Sequence, residues 1–367
     1  MTVGRLLITA LLTVLSSPLS LAMDVLPAGE YLLTVTRPGS TLNIIDTASD
    51  KVVRQCDLGV RPGSGTIAIS PDQQTAYVLA NSFSDVYGVD LDTCDVVFST
   101  QQSTGNTRVK SMASMALSVD GARLYTHQTR VRIHSDHYEL LDTVVAEFDT
   151  RGGLNTLASR TLPAPRQITI LEMQENGALL LGGPDVYRMD LQSGDYEVII
   201  KSLNHEDPEY APRDVLTVWP MGSVNNEFSR LFSTARWLGE PGDLANAEWL
   251  WGYESVDLAT GEAASTLVGP LEVALFSGVT RPNHRNEMYG VLNYLKVYDV
   301  PTKTELRSTS VPHSYYTLNF TQDGSKLYLL GADADVGVYD PETLEQQTII
   351  PLPGDGSLSG SVMIQRH

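Results

Sequence analysis

The sequence predicts an all-β fold, a seven-bladed β-propeller whose ring is closed by the C-terminal strand joining the first blade. Three observations carry the prediction. A unit of two apolar strands with a turn between them, then a strand ending in Asp, recurs along the chain. Its period is close to the ~40 to 50 residues of a propeller blade. The first unit lacks an innermost strand, and an apolar segment at the very C-terminus is free to supply it.

Taken in order, the units end at Asp46 (LNIID), Asp90 (VYGVD), Asp149 (VAEFD), Asp190 (VYRMD), Asp257 (YESVD), Asp299 (LKVYD) and Asp340 (VGVYD). These aspartates are spaced 44, 59, 41, 67, 42 and 41 residues apart, so four intervals match a blade and the two long ones mark loop insertions. Segments such as TAYVLA, RLYTH and KLYLLG gather β-formers between turn residues. DLATGE and DLQSGD read as hairpins between third and fourth strands, because Asp and Ser or Thr bond their own backbone and Gly accepts positive φ. Metal ligation by the aspartates is the competing reading, and their periodicity favours the hairpins. SPDQQTAY, SVDGARLY and TQDGSKLY are the matching turns between first and second strands. In the first unit YLLTVT already stands at the second-strand position, ahead of LNIID and KVVRQCDL. GSVMIQR is therefore assigned as the innermost strand of the first blade, which closes the ring without an open edge.

Ahead of the repeats, Arg5 precedes the apolar run LLITALLTVL, and Ser20-Leu21-Ala22 offers small residues for cleavage. Residues 1–22 are expected to be a signal peptide, with residues 23–367 forming a single propeller domain. A membrane anchor is disfavoured, since the run is too short to cross ~30 Å of hydrocarbon and Pro18 soon interrupts the chain beyond it. No other stretch is long and apolar enough to span. The chain is expected to be exported.

With 44 acidic against 25 basic residues the net charge is −19, which repels phosphate backbones and argues against nucleic acid or an anionic membrane as partner. Cys56 and Cys94 are the only cysteines, too few for a disulfide framework or a cysteine metal site. In an oxidising compartment the two can pair, but their places in different repeats weigh against a bridge.

Catalytic motifs are sparse. No G-x-S-x-G elbow occurs, and GSGT at Gly63 to Thr66 lacks dinucleotide or phosphate-loop spacing. His134 and His137, with His127 upstream, form the densest ligand-like cluster, yet residues three apart on a strand face opposite ways. Polar loop contacts are the favoured reading there. DADVG at Asp333 to Gly337 lacks the remaining ligands of a calcium loop and falls where a hairpin belongs.

Aromatic residues are more informative. Trp237, Trp249 and Trp251 flank the acidic insertion GEPGDLANAE, where they suit either a partner surface or packing between blades. Pro312 and His313 precede a strand beginning near Tyr316, which places VPHSYY at the inner rim, where loops carry function. His313, Tyr315 and Tyr316 are candidates for a partner-facing pocket. Packing of the two tyrosines between blades is the alternative.

Five segments carry a resemblance that goes beyond generic blade signatures: Arg108 to Tyr125, Ala164 to Thr169, Asp214 to Trp219, Val311 to Gly324 and Tyr339 to Glu345. Together they make nearly all of the mature chain resemble the propeller (beta) subunit of quinohemoprotein amine dehydrogenase. The matched segments add Arg166 and Trp219 to the pocket or interface candidates. The resemblance implies a periplasmic heterotrimer in which a small subunit carries cysteine tryptophylquinone and another subunit carries two c-type haems. Primary amines are oxidised there to aldehydes and ammonia, and a soluble copper protein or cytochrome accepts the electrons. The propeller would then hold no catalytic residue, no metal and no covalent cofactor, in keeping with its lack of C-x-x-C-H. Its part would be to enclose the quinone site and regulate water entry. Alternatives are the large subunit of a methylamine dehydrogenase-like enzyme, a free-standing periplasmic binding propeller, and a lactonase-like hydrolase, for which no acid-base constellation is evident.

Overall fold

The computed structural model describes residues 25–60, 66–216, 221–357 and 359–367. The expected signal peptide and the candidate Trp219 lie outside the described residues. Seven antiparallel sheets succeed one another around a ring, and all but the first run from inner to outer strand in chain order.

Blade 1 takes its inner strand from Ser361–Arg366 and continues with Gly29–Thr36, Thr41–Asp46 and Lys51–Asp57. Leu32 faces Met363 and Leu33 faces Val362 across the closing ladder, so GSVMIQR stands where the incomplete first repeat requires it. Covering that edge removes a row of unpaired backbone groups. Blades 2, 4, 6 and 7 are four-stranded and regular, with inner strands Ile67–Ile69, Ile170–Met173, Leu275–Arg281 and Tyr315–Phe320.

Blades 3 and 5 depart from the pattern, and they are the two with long repeat spacings. In blade 3 the second strand, Arg123–Ile133, outgrows its sheet and pairs beyond it with Thr107–Lys110 and Tyr138–Leu140. In blade 5 the strands Glu227–Trp237 and Ala247–Asp257 pair over their whole length as a projecting hairpin. Its tip holds a short 3-10 helix, Leu244–Asn246, capped by the Asp243 carboxylate.

All seven repeat aspartates accept backbone N–H bonds from residues two or three further on, as Asp90 does from Asp92 and Thr93 at 2.9 and 2.8 Å. The first-to-second-strand turns use Ser70 with Asp72, Ser118 with Asp120 and Thr321 with Asp323. The core is divided into seven apolar clusters, each wedged between adjacent blades.

Cys56 and Cys94 are joined in a disulfide with their Cα atoms 5.2 Å apart, which corrects the expectation that their different repeats keep them separate. In a ring, the outer strand of one blade lies against the third-to-fourth-strand turn of the next. Arg54 shows the same adjacency by donating to the carbonyls of Leu91 and Asp92 at 2.5 and 2.8 Å.

Candidate functional site

The strand order sorts the loops onto two faces. One, here the upper face, carries the blade-to-blade connections and the second-to-third-strand turns. The lower face carries the other two sets of turns.

His313 lies on the connection from blade 6 to blade 7, where its Nε2 meets both oxygens of Asp335 at 3.1 and 3.2 Å. Its Nδ1 lies 3.3 Å from the Ser314 carbonyl oxygen. Tyr315 begins the inner strand, and its hydroxyl donates to the same Asp335 at 3.4 Å. Its ring lies 4.3 Å from that of His313 and edge-on to Tyr339. Tyr315 is wholly buried in the cluster between blades 6 and 7. Burial pushes its hydroxyl pKa well up, and the charge of Asp335 adds to the effect. Gly337 makes this possible, because a Cβ there would stand 2.7 Å from the Tyr315 hydroxyl oxygen. The next residue, Tyr316, is half-buried on the other side of the strand, with its ring 5.4 Å from that of Phe276 on the inner strand of blade 6.

The structure thus brings His313 and Tyr315 together around one carboxylate and turns Tyr316 away from them. Arg166 is exposed on a different connection, between blades 3 and 4, beside a cleft lined by Arg130, Asp142, Pro163 and Tyr196. Within that connection the Pro165 carbonyl lies 2.8 Å from Nε2 of buried His127, whose pKa desolvation lowers to about 4. His134 and His137 flank a hairpin turn with rings stacked 4.3 Å apart, and His134 pairs with Glu139 at 3.0 Å. Among the described residues no three His, Cys, Asp or Glu side chains gather as metal ligands.

The three tryptophans separate by strand position. Trp251 is fully buried, edge-on to Tyr298 of blade 6 with ring centroids 4.8 Å apart. Trp249, two residues back on the same face of the strand, reaches the upper surface with 42 % of its area exposed. Tyr294, on the facing blade, is equally exposed. Leu238 and Leu244 at the hairpin tip add aliphatic surface, and Tyr138 and Leu140 are exposed on the raised arm of blade 3.

Two features escaped the sequence reading. Arg230 and Glu254, on the paired central strands of blade 5, form an ion pair at 2.8 Å with neither side chain exposed. Ser202 donates to Glu254 at 2.6 Å and Arg213 at 3.2 Å, while Arg230 also donates to the Gly183 carbonyl at 2.6 Å. This network pins the connection from blade 4 to blade 5. The second feature is Glu172, on the inner strand of blade 4, which faces the central channel. Charged residues inside apolar strands, FSRLF, GYESV and ILEM, were the available signals.

No family model matches this chain, and no curated protein matches it. Among solved structures it resembles Kuenenia stuttgartiensis hydrazine synthase, at 13 % identity and a TM-score of 0.55, over 84 % of this chain and 91 % of that one. It also resembles the dihydro-heme d1 dehydrogenase NirN, at 14 % identity and a TM-score of 0.51, over 92 % of this chain and 75 % of that one. At such identities the likeness is one of fold alone, and this chain is itself a seven-bladed β-propeller.

Proposed function

We propose that this chain is the non-redox propeller subunit of a periplasmic amine dehydrogenase of the quinohemoprotein type, enclosing a quinone site carried by a small partner subunit. The observation that carries the reading is the raised upper surface, where Trp249, Tyr294, Leu238 and Leu244 stand exposed around blades 5 and 6. Aromatic and aliphatic side chains grouped in this way, with carboxylates such as Glu240 and Asp243 on the same hairpin, have the make-up of a protein-protein contact. The Cys56–Cys94 bridge fits an oxidising compartment such as the periplasm. Chemistry on the amine would belong to the partner, with cysteine tryptophylquinone and two c-type haems expected on other subunits. The propeller would supply a rigid wall that excludes water.

The test is purification of the tagged chain from its native host, followed by identification of co-eluting chains. A small quinone-staining subunit and a diheme cytochrome c support the reading. A tryptophan tryptophylquinone subunit without a diheme cytochrome favours a methylamine dehydrogenase-like assembly, and elution alone favours a free-standing binding propeller.

A further inference from the structure

Among the described residues every arginine stands within ion-pair distance of a carboxylate except Arg108, Arg130 and Arg166. All three gather on the upper face around blade 3, Arg108 and Arg130 on its raised arm and Arg166 on the connection to blade 4. With a net charge of −19 the chain has carboxylates to spare, yet none answers this group.

Arg130 and Arg166 line one cleft of about 540 Å3 on the flank between blades 3 and 4. The Nε of Arg130 donates to the Asp142 carbonyl oxygen at 3.0 Å, which orients the guanidinium and leaves its Nη groups without a described acceptor. The carboxyl of Asp142, exposed at the same cleft, is beyond ion-pair reach of either arginine. Pro163, Pro165 and the exposed Tyr196 supply apolar walls, and the Tyr196 ring is held edge-on to Tyr187 with centroids 5.8 Å apart. Arg108 faces Val131 across the ladder whereas Arg130 faces Val109, so Arg108 lies on the other side of the arm and adds only positive field.

A guanidinium fork matches carboxylate or phosphate. The charge of the whole chain repels phosphate polyanions and anionic bilayers, which leaves carboxylates as the fitting counterpart. A small anion would leave the proline and tyrosine walls unused. An extended peptide uses both, because its alternate side chains point to opposite faces and can carry acid on one and hydrocarbon on the other. Arginine and tyrosine together are also what the centre of a protein interface favours.

We propose that this cleft docks an extended acidic segment of a partner protein, its carboxylates on Arg130 and Arg166 and its apolar side chains on Tyr196 and Pro163. The surface is separate from the raised patch around Trp249 and does not rest on the proposed assembly.

The full chain is titrated into a fluorescein-labelled hexapeptide of alternating glutamate and leucine, blocked at both ends, and binding is followed by fluorescence anisotropy at pH 7. Saturable binding is expected. Arg166→Gln and Arg130→Gln should each weaken it about tenfold, as loss of hydrogen bonds to a charged group does. Arg151→Gln makes the same charge change at an exposed arginine paired with Asp149 on the lower face, and it should leave binding unchanged. Arg166 is exposed, so its variant should keep the wild-type unfolding midpoint and carries the test if Arg130→Gln fails to fold. Absence of saturable binding overturns the proposal, as does equal binding by Arg166→Gln or an equal loss in Arg151→Gln. Equal binding of the glutamine-leucine peptide would show a merely apolar surface, and glutarate binding as tightly as the peptide would show a small-acid site. Self-association of the chain that Arg166→Gln abolishes would give the cleft to a second copy. Each of these three results also overturns the proposal.

Discussion

Arg366, in the last strand, meets Asp92 of the second blade with both Nη2–carboxylate distances at 3.0 Å or less, and the same carboxylate accepts the backbone N–H of Leu26 at 2.9 Å. One side chain of blade 2 therefore holds both the start of the described residues and the closing strand. Burial by itself would raise the Asp92 pKa, but the Leu26 N–H and the Arg366 guanidinium outweigh it and keep the carboxyl below its ordinary range.

Deleting Gly360 to His367 should lower the unfolding midpoint steeply, since it strips the inner strand from blade 1 and uncovers Leu32 and Leu33. Asp92→Asn is the milder test, expected to cost about 1 to 3 kcal/mol through hydrogen bonds to a charged group. Because the folded pKa is depressed, this stability is present above the unfolded carboxyl value and is lost as pH falls below it. Urea denaturation of both proteins at pH 7 and near pH 3 should show the gap closing in acid. An equal gap at both pH values would contradict the linkage.

Glu254→Leu alone should cost about 3 to 5 kcal/mol, because it strands the buried Arg230 charge, and Arg230→Met should cost less, because Arg213 still pairs with Glu254. The double variant should recover much of that loss. Denaturation of the three variants measures it, and simple additivity of the single losses would show that the pair does not act as a unit.

Glu172 gives an opposite pH signature from Asp92. Its folded pKa is raised, so between the unfolded carboxyl value and about 7 the folded state holds a proton that the unfolded state has released. Stability contributed in acid is lost as pH rises through that window. Glu172→Gln should leave stability near pH 4 unchanged and raise it by about 2 to 3 kcal/mol at pH 8. Thermal unfolding across that range checks the sign, and a stabilisation that does not vary with pH would refute it.

Reducing the Cys56–Cys94 bridge, or replacing both residues with Ser, should cost about 2 to 4 kcal/mol by freeing the unfolded chain. Denaturation with and without reductant measures the loss. The double Ser variant should show no response to reductant.

Much of the architecture was legible because it is written in local chemistry. Asp46 and its six counterparts bond backbone two or three residues ahead, so each hairpin is specified within a handful of neighbouring positions. The two long repeat spacings marked insertions in blades 3 and 5, which the structure forms as paired strands rather than loops. Closure came from counting strands, because a first unit with three strands and a spare apolar segment at the end have one solution that leaves no edge.

The candidate site was legible only in part. VPHSYY lies on the connection into blade 7, but Tyr315 packs between blades 6 and 7, and strand alternation says only that Tyr315 and Tyr316 face opposite ways, not which of them meets the core. Packing against Tyr339 and the space left by Gly337 decided it.

The sequence by itself determined the number of blades, the order of their strands and the strand that closes the ring, because repeat length and turn chemistry are properties of contiguous segments. Tertiary structure alone decided that Cys56 reaches Cys94, that Arg230 is buried against Glu254 and that Glu172 faces the channel. Those relationships depend on how each twisted sheet lies within its blade, against its neighbour and about the central axis. Local patterning specifies the strands but leaves their mutual facing to the packing of the whole ring.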